Sequence, residues 1–427
     1  ICLETLLYML SGMVDTLMLS SVNDQAVGAV GTANTYIGIF IIMFSVISSG
    51  MVAVMTQNIG AGRPGVAYQA RQLGLAFNAV LGIIMSLFLS LGAGTILSGV
   101  GVADALMQPA RTYLQIVGGF CILNALIPIC SSYLRAFGFS KEPLYASIIG
   151  NVINFCLNAF FLFVLHKGVA GVATATVISR IINLVIVVLL GAVLVKAKQH
   201  PERESNRAVM GQIIRIGLPS ACETAIYNVS MTLVIRFLNQ MDAQGLNVTA
   251  RSYTMQITNF SYCVGAALAQ ANAIMTGWHI GAKEYDACDR GTKKAAVIGV
   301  IVAVILETVF TLCSGWIMQL FSKDPQMVSL VGKLLAIDIV LEIGRVTNLV
   351  YGQALKTSGD AVFPVVMGVC FMILCSVGGT YLFGIRLGLL AVGAYIGMAG
   401  DECVRAIGMY LRWKSGKWKE KGLVKSR

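Results

Sequence analysis

The chain runs apolar for twenty or more positions at a time and breaks between runs at short polar stretches. About 20 apolar residues suffice to cross the hydrocarbon core of a bilayer as an α-helix. Twelve such spans are predicted, at 1–20, 27–58, 67–97, 107–134, 143–165, 169–195, 209–240, 246–278, 286–316, 326–355, 361–383 and 388–412. Glycine, serine and threonine recur inside them, which suits helices packed closely in lipid. In the first span the polar residues keep to one face: Glu4, Tyr8, Ser11 and Asp15 are spaced by four, three and four, a single helical stripe opposite a wholly apolar face.

Composition agrees with the pattern. The 427 residues are 57% hydrophobic and 12% charged, against roughly a quarter charged in soluble domains, which excludes a soluble enzyme or binding module. The longest polar stretch, Lys196–Arg207, leaves no room for a soluble domain. The net charge of +11 does not point to nucleic acid, because the basic residues gather in alternate short loops. Loops assigned to the inside carry Arg63 and Arg71, Arg135 and Lys141, Lys196 through Arg215, Lys283 through Lys294, Lys356, and the tail Arg412–Arg427. A multi-pass protein of the cell membrane with both termini cytoplasmic is expected. The eleven cysteines form no CxxC pair and the three histidines no cluster, so no metal site and no cofactor are expected. The chain starts in mid-helix without a methionine, so a short N-terminal piece is expected to be missing; no cleavable signal peptide is visible.

The spans repeat. Glu4-Thr5, Tyr8 and Ser11 recur as Glu223-Thr224, Tyr227 and Ser230. Ile59-Gly60-Ala61 recurs as Ile280-Gly281-Ala282, Gly138 and Pro143 as Gly359 and Pro364, and Gly168 as Gly388. All four offsets lie between 219 and 221. The fold class is therefore all-α, twelve transmembrane helices in two homologous six-helix bundles. The boundaries are an N-terminal lobe at 1–195, a cytoplasmic linker at 196–208, a C-terminal lobe at 209–412 and a basic tail at 413–427. Six spans per half gives both halves one orientation, with an axis along the membrane normal and a cavity between them, as in transporters.

Charges left inside spans must be paired, hydrated or functional. Asp15 sits near the middle of its span with no cation within a helical turn, and aligns with Val234 in the second half. Either it exchanges a coupling ion or it serves as a structural hydrogen-bonding group. Asn151, Asn154 and Asn158 share one face of the fifth span, and Thr174, Thr176, Arg180 and Asn183 interrupt the sixth. Glu4 and Glu223 are mirrored, so they either face a cavity or make twin structural bonds. In the first case Tyr8, Tyr36, Tyr227, Tyr253 and Phe260 offer ring faces to cationic substrates; otherwise these rings are packing or interface residues. On the tenth span Glu342 and Arg345 can pair, leaving Asp338 the more titratable group. Asp401, Glu402 and Arg405 form a local cluster of structural or cytoplasmic-gate character. The glycine turns at Gly60–Arg63 and Gly281–Lys283 lack the strand–loop–helix context of a phosphate cradle, and read as hinges or closure contacts.

Several motifs resemble those of the multidrug and toxic compound extrusion family. They are Val14-Asp15-Thr16, Gln57-Asn58-Ile59-Gly60-Ala61-Gly62, Ile216-Gly217-Leu218-Pro219-Ser220, Leu355-Lys356 with Ser358-Gly359-Asp360, and Asp401-Glu402 with Arg405. The resemblance implies a V-shaped pair of six-helix bundles that exports amphipathic, often cationic compounds by alternating access against H⁺ or Na⁺. It implies an ion site of Asp15, Asn154, Asn158 and Thr176, with the departure that Asn158 stands where the family pattern has a second acidic residue. It also implies a possible second ion site among Glu223, Asp338 and Glu342, for which an ion-pair network with Arg345 is the alternative. The expected partners are a small amphipathic or cationic molecule and the lipid bilayer, with the chain acting as a monomer. A lipid-linked precursor flippase of the same two-lobe fold is the second reading, disfavoured because the candidate cavity spans are acidic in balance. A membrane-embedded enzyme is the third, disfavoured because no Ser–His, Ser–Lys or paired His/Asp arrangement lies within the spans.

Overall fold

The computed structural model describes residues 2–20, 24–99, 104–196, 200–241, 245–319 and 322–424, and within these not the side chains of residues 5, 8–10, 13, 16, 24, 99, 104 and 105. The described residues are mostly helical, joined by short turns and loops, with no strand among them. Twelve long segments follow one another: α1 (Cys2–Ser20), α2 (Asp24–Gly60), α3 (Pro64–Gly99), α4 (104–136), α5 (Glu142–Val164), α6 (Gly168–Leu194), α7 (Asn206–Met241), α8 (Leu246–Gly281), α9 (Tyr285–Leu312), α10 (Pro325–Thr357), α11 (Val362–Arg386) and α12 (Leu390–Lys414). Six of them, α2, α3, α5, α6, α9 and α11, are long and apolar enough to cross a membrane by length and composition alone. A seventh, α4, does so across a 43° bend between Leu106–Gly118 and Ile122–Ala136. The other five, α1, α7, α8, α10 and α12, each carry charged side chains within their length. The charged helices hold most of the candidate chemistry, and α5, α6 and α9 add polar residues to it.

The chain forms two compact units that meet inside α7, one of residues 3–218 and one from Pro219 onward. The first turns of α7 belong to the first unit because glycines bring two backbones together. A Cβ on Gly217 would lie 1.7 Å from the Val46 carbonyl oxygen, and one on Gly50 would lie 1.9 Å from that of Ile213. Small residues permit such approach where lipid offers helices no hydrophobic drive to associate. In the same unit Asn78 on α3 is fully buried and donates to the carbonyls of Phe44 on α2 (3.3 Å) and Ala125 on α4 (3.1 Å). The polar linker is also tied down. Gln69 donates to the Glu204 carbonyl (2.7 Å) and accepts from the Glu204 amide (3.0 Å), and Arg63 pairs with Glu204 at 2.7 Å.

In the second unit α10 is the central helix, packed against α8, α9 and α12. The tail following α12 is not free: Trp413 and Trp418 are buried and stack at 4.1 Å, and the Trp413 indole donates to Asp289 on α9.

The repeated glycines have a common backbone reason. Gly138 and Gly359 end α4 and α10 at φ of +89° and +97°, and Gly168 and Gly388 open the sixth helix of each half at +52° and +69°. Left-handed φ values cost glycine nothing, and helices commonly stop this way. The mirrored loops Gly60–Gly62 and Gly281–Lys283 make the same turn, with Gly62 at +71° and Lys283 at +61°.

Gly217→Val is expected to lower the thermal midpoint of the purified protein by an overpacking cost of about 1–3 kcal/mol or more. Gly211→Ala, whose added Cβ meets nothing within 4 Å, is expected to leave it unchanged or raise it. Intrinsic-fluorescence melting in detergent measures both.

Candidate ion-coupling and substrate sites

In the first unit, among the described residues, α1 makes no long close seam with another helix. Side chains from α4 and α5 hold it at three points. Arg135, in the last turn of α4, donates to both carboxylate oxygens of Glu4 at 2.6 and 2.7 Å. The Asn151 amide lies 3.4 Å from the Leu7 carbonyl, and the Asn158 amide donates to Asp15 at 2.7 Å. Near its end Leu19 joins a small apolar cluster with Ala26, Leu162 and Val172. The asparagine face of α5 is therefore a ladder for α1, and it brings Asp15, Asn158 and Asn154 together; Asn158 also donates to Asn154 at 3.2 Å. Both asparagines are buried, and Asn158 Oδ1 is buried without a hydrogen-bond partner. The Thr176 hydroxyl is spent on its own helix, donating to the Val172 carbonyl at 2.9 Å. Arg180 on α6 acts on Asp15 through its charge but makes no ion pair with it, and Asp15 has none among the described residues.

Glu4 and Glu223 make twin pairs. As Glu4 meets Arg135, Glu223 on α7 meets Lys356 at 2.6 Å, and Arg135 and Lys356 both end the fourth helix of their half, 221 positions apart. Sequence reasoning placed these two cations among the inside-loop charges; the structure pairs them with the mirrored glutamates, Arg135 buried and Lys356 partly so.

The second unit gathers more charge. Arg345 pairs with Glu342 one turn earlier on α10 and reaches Glu402 on α12 at 3.8 Å. Arg405 bonds Asp401 at 2.8 and 2.9 Å and Glu402 at 2.8 Å. Ser376 donates to Asp401, and Asn348 to Glu402, each at 2.9 Å. Beside this network Glu307, Asp338 and Glu342 offer oxygens that all lie within 4.8 Å of one another, and all three are buried. Among the described residues Asp338 Oδ2 and Glu342 Oε2 have no hydrogen-bond partner, and the polar neighbour of Glu307 outside the triad is the Ser261 side chain on α8. Three such oxygens suit a shared proton or a small cation. Glu307 on α9 was missed by sequence reasoning, although it is the one acidic residue between Arg290 and Asp324. Glu223, in turn, is engaged by Lys356 and is not part of this triad.

A cavity of about 420 Å³ opens within the second unit, lined by side chains from α7, α8, α10, α11 and α12. Of the predicted cavity residues, Glu223 and Tyr227 line it, together with Asp338, Arg345, Glu402 and Arg405. Tyr253 instead packs against the apolar core of that unit, and Tyr36 against the core of the first. Phe260 is 38% exposed and does not line this cavity. The Tyr8 side chain lies outside the described residues.

Helices in two similar sets of six, with charge held inside them, define a polytopic membrane transporter. The profile of the family described as MatE matches residues 1–160 and 219–382, once in each half. The chain belongs to this family, the multidrug and toxic compound extrusion proteins, whose members are transporters rather than enzymes. It is 34% identical to the uncharacterized transporter YisQ of Bacillus subtilis (strain 168), over 99% of this chain and 94% of that one. It is 22% identical to the probable multidrug resistance protein NorM of Thermotoga maritima, over 99% and 91%. A crystal structure of MATE in the straight conformation shares the fold, with a TM-score of 0.89, 19% identity, and 98% and 94% coverage.

Arg345→Gln is expected to destabilise the purified protein strongly, by about 3–5 kcal/mol, because it strands Glu342 in a low dielectric without its cation. Glu307→Gln removes a charge that has no cation of its own, and is expected to leave the thermal midpoint unchanged or raise it. Parallel melting curves compare the two.

Proposed function

We propose that this chain is a secondary active antiporter that exports amphipathic, often cationic compounds across the cell membrane in exchange for H⁺ or Na⁺, with both termini cytoplasmic and the monomer as the working unit. The relatives named for multidrug resistance support the cargo class. The observation that carries the reading is Asp15: a carboxylate on α1, hydrogen-bonded to Asn158 at 2.7 Å and without an ion pair among the described residues. Its mirrored neighbour on the same stripe, Glu4, is tied to an arginine and is silent by comparison.

The chemistry follows from the asparagine ladder. Ionised Asp15 accepts from the Asn158 amide. Protonated Asp15 becomes a donor, and Asn158 Oδ1, buried and unpartnered, is an acceptor on the same side chain. Proton uptake thus exchanges one hydrogen bond for another and removes a charge from the interior, which favours a different seating of α1. Na⁺ would find oxygens on Asp15, Asn154 and Asn158, with one carboxylate to offset its dehydration. Alternating access then links the seating of α1 to the side on which the cargo is released. The Glu307, Asp338 and Glu342 triad supplies a second place for the coupling ion in the other half.

The reading is tested with cells expressing the protein and loaded with a fluorescent lipophilic cation. Asp15→Asn is expected to abolish export at unchanged membrane expression, down to the level of cells lacking the protein. Asn158→Leu is expected to reduce export by about tenfold or more, since a hydrogen bond to a charged group contributes about 1.5–3 kcal/mol. Export by Asp15→Asn at the unaltered rate would sink the mechanism.

A further inference from the structure

The cavity of the second unit is lined by four cationic side chains, and three of them have carboxylates. Arg345 holds Glu342, Arg405 holds Asp401 and Glu402, and Lys356 holds Glu223. The fourth, Arg251, has none among the described residues. It lies in the second turn of α8, only 7% exposed. Its Nη2 faces the Met231 thioether at 3.8 Å, a weak acceptor, and its Nε is buried with no partner among the described residues. A guanidinium removed from water without an anion is among the costlier things a protein can bury, and intramembrane charges that persist unpaired belong to substrate or ion pathways.

We infer that Arg251 is an anchor for the carboxylate of an amphipathic organic anion, a cargo class that the transport reading above does not assign. The planar guanidinium fork fits a carboxylate with two parallel hydrogen bonds. A single negative charge balances Arg251, whereas a dianionic phosphate would need further cations, and the other three in the cavity are already engaged. The ligand body lies against Met231, Met255, Tyr227 and Tyr395, a soft and aromatic wall that accepts varied shapes. The cavity of about 420 Å³ takes a molecule of two fused rings with a short acidic arm.

This inference rests on the transport reading only for the fate of the ligand; binding does not require export. The test uses the purified full-length protein in detergent, with tritiated 1-naphthylacetate and its methyl ester as probes in a scintillation proximity assay. The acid is expected to bind the unaltered protein at least about tenfold more tightly than the ester, the gain of a charge-assisted hydrogen-bond pair. Arg251→Gln is expected to abolish that preference and Arg251→Lys to keep part of it. Equal affinity for acid and ester, no binding of either, or a preference that survives in Arg251→Gln would overturn the assignment. The first two outcomes are read on the unaltered protein, so they do not depend on how the variants fold. Acid binding in a protein that exports nothing would overturn the transport reading alone, and export of cations without acid preference would overturn the Arg251 assignment alone.

Discussion

A charge inside the bilayer costs about 2.5–3.5 kcal/mol even on the mildest insertion scales, and this chain is built around meeting that cost. Its answer is partly symmetric. Glu4 with Arg135 and Glu223 with Lys356 are the same bond made twice, each joining the first helix of a half to the end of its fourth. In both, the cation sits in the last turn of its helix, where the macrodipole favours positive charge. With a carboxylate and a cation in each pair, neither unit carries a net intramembrane charge from this scaffold.

Beyond that shared frame the halves diverge. The first unit is sparing among the described residues: one further carboxylate, Asp15, answered by the Asn158 amide, with Asn151 placed on the α1 backbone a few turns away. The second is crowded, with Glu307, Asp338, Glu342, Asp401 and Glu402 around Arg345 and Arg405. A site of amides can reseat when one proton arrives, because neutral hydrogen bonds exchange at little net cost. A network of ion pairs resists loss of any one member, since each partner left behind is a desolvated charge. A site able to reseat in one unit and a charge-lined cavity in the other are the physical counterparts of these two designs.

Much of this was legible in the chain. The apolar runs and the offset of about 220 residues between Glu4 and Glu223, or Gly138 and Gly359, report the twelve helices and their division, because glycine at positive φ and mirrored charge are set locally. The Asp15 stripe and the Asn154 and Asn158 face also follow from helical period alone. What the chain does not display is pairing across helices. Arg135 and Lys356 sit at helix ends and read as loop charges, yet each is folded onto a glutamate more than a hundred residues away. Glu307 has no acidic or basic neighbour one turn away on its own helix, and its companions come from α10. Tyr36 and Tyr253 each pack part of their surface against a core cluster of their unit, a neighbour the sequence does not display, since a period of 3.6 locates a face but not what it meets.

The central claim is that Asp15 couples ion entry to cargo exit. It is met most directly in vesicles reconstituted with the purified protein, where movement of a fluorescent cation is followed under a proton gradient and a sodium gradient imposed separately. The account predicts transport driven by one of these gradients and lost in Asp15→Asn, with the Glu4 and Arg135 pair left intact. Gradient-driven transport that continues in Asp15→Asn at the unaltered rate, or transport indifferent to both gradients, would contradict it.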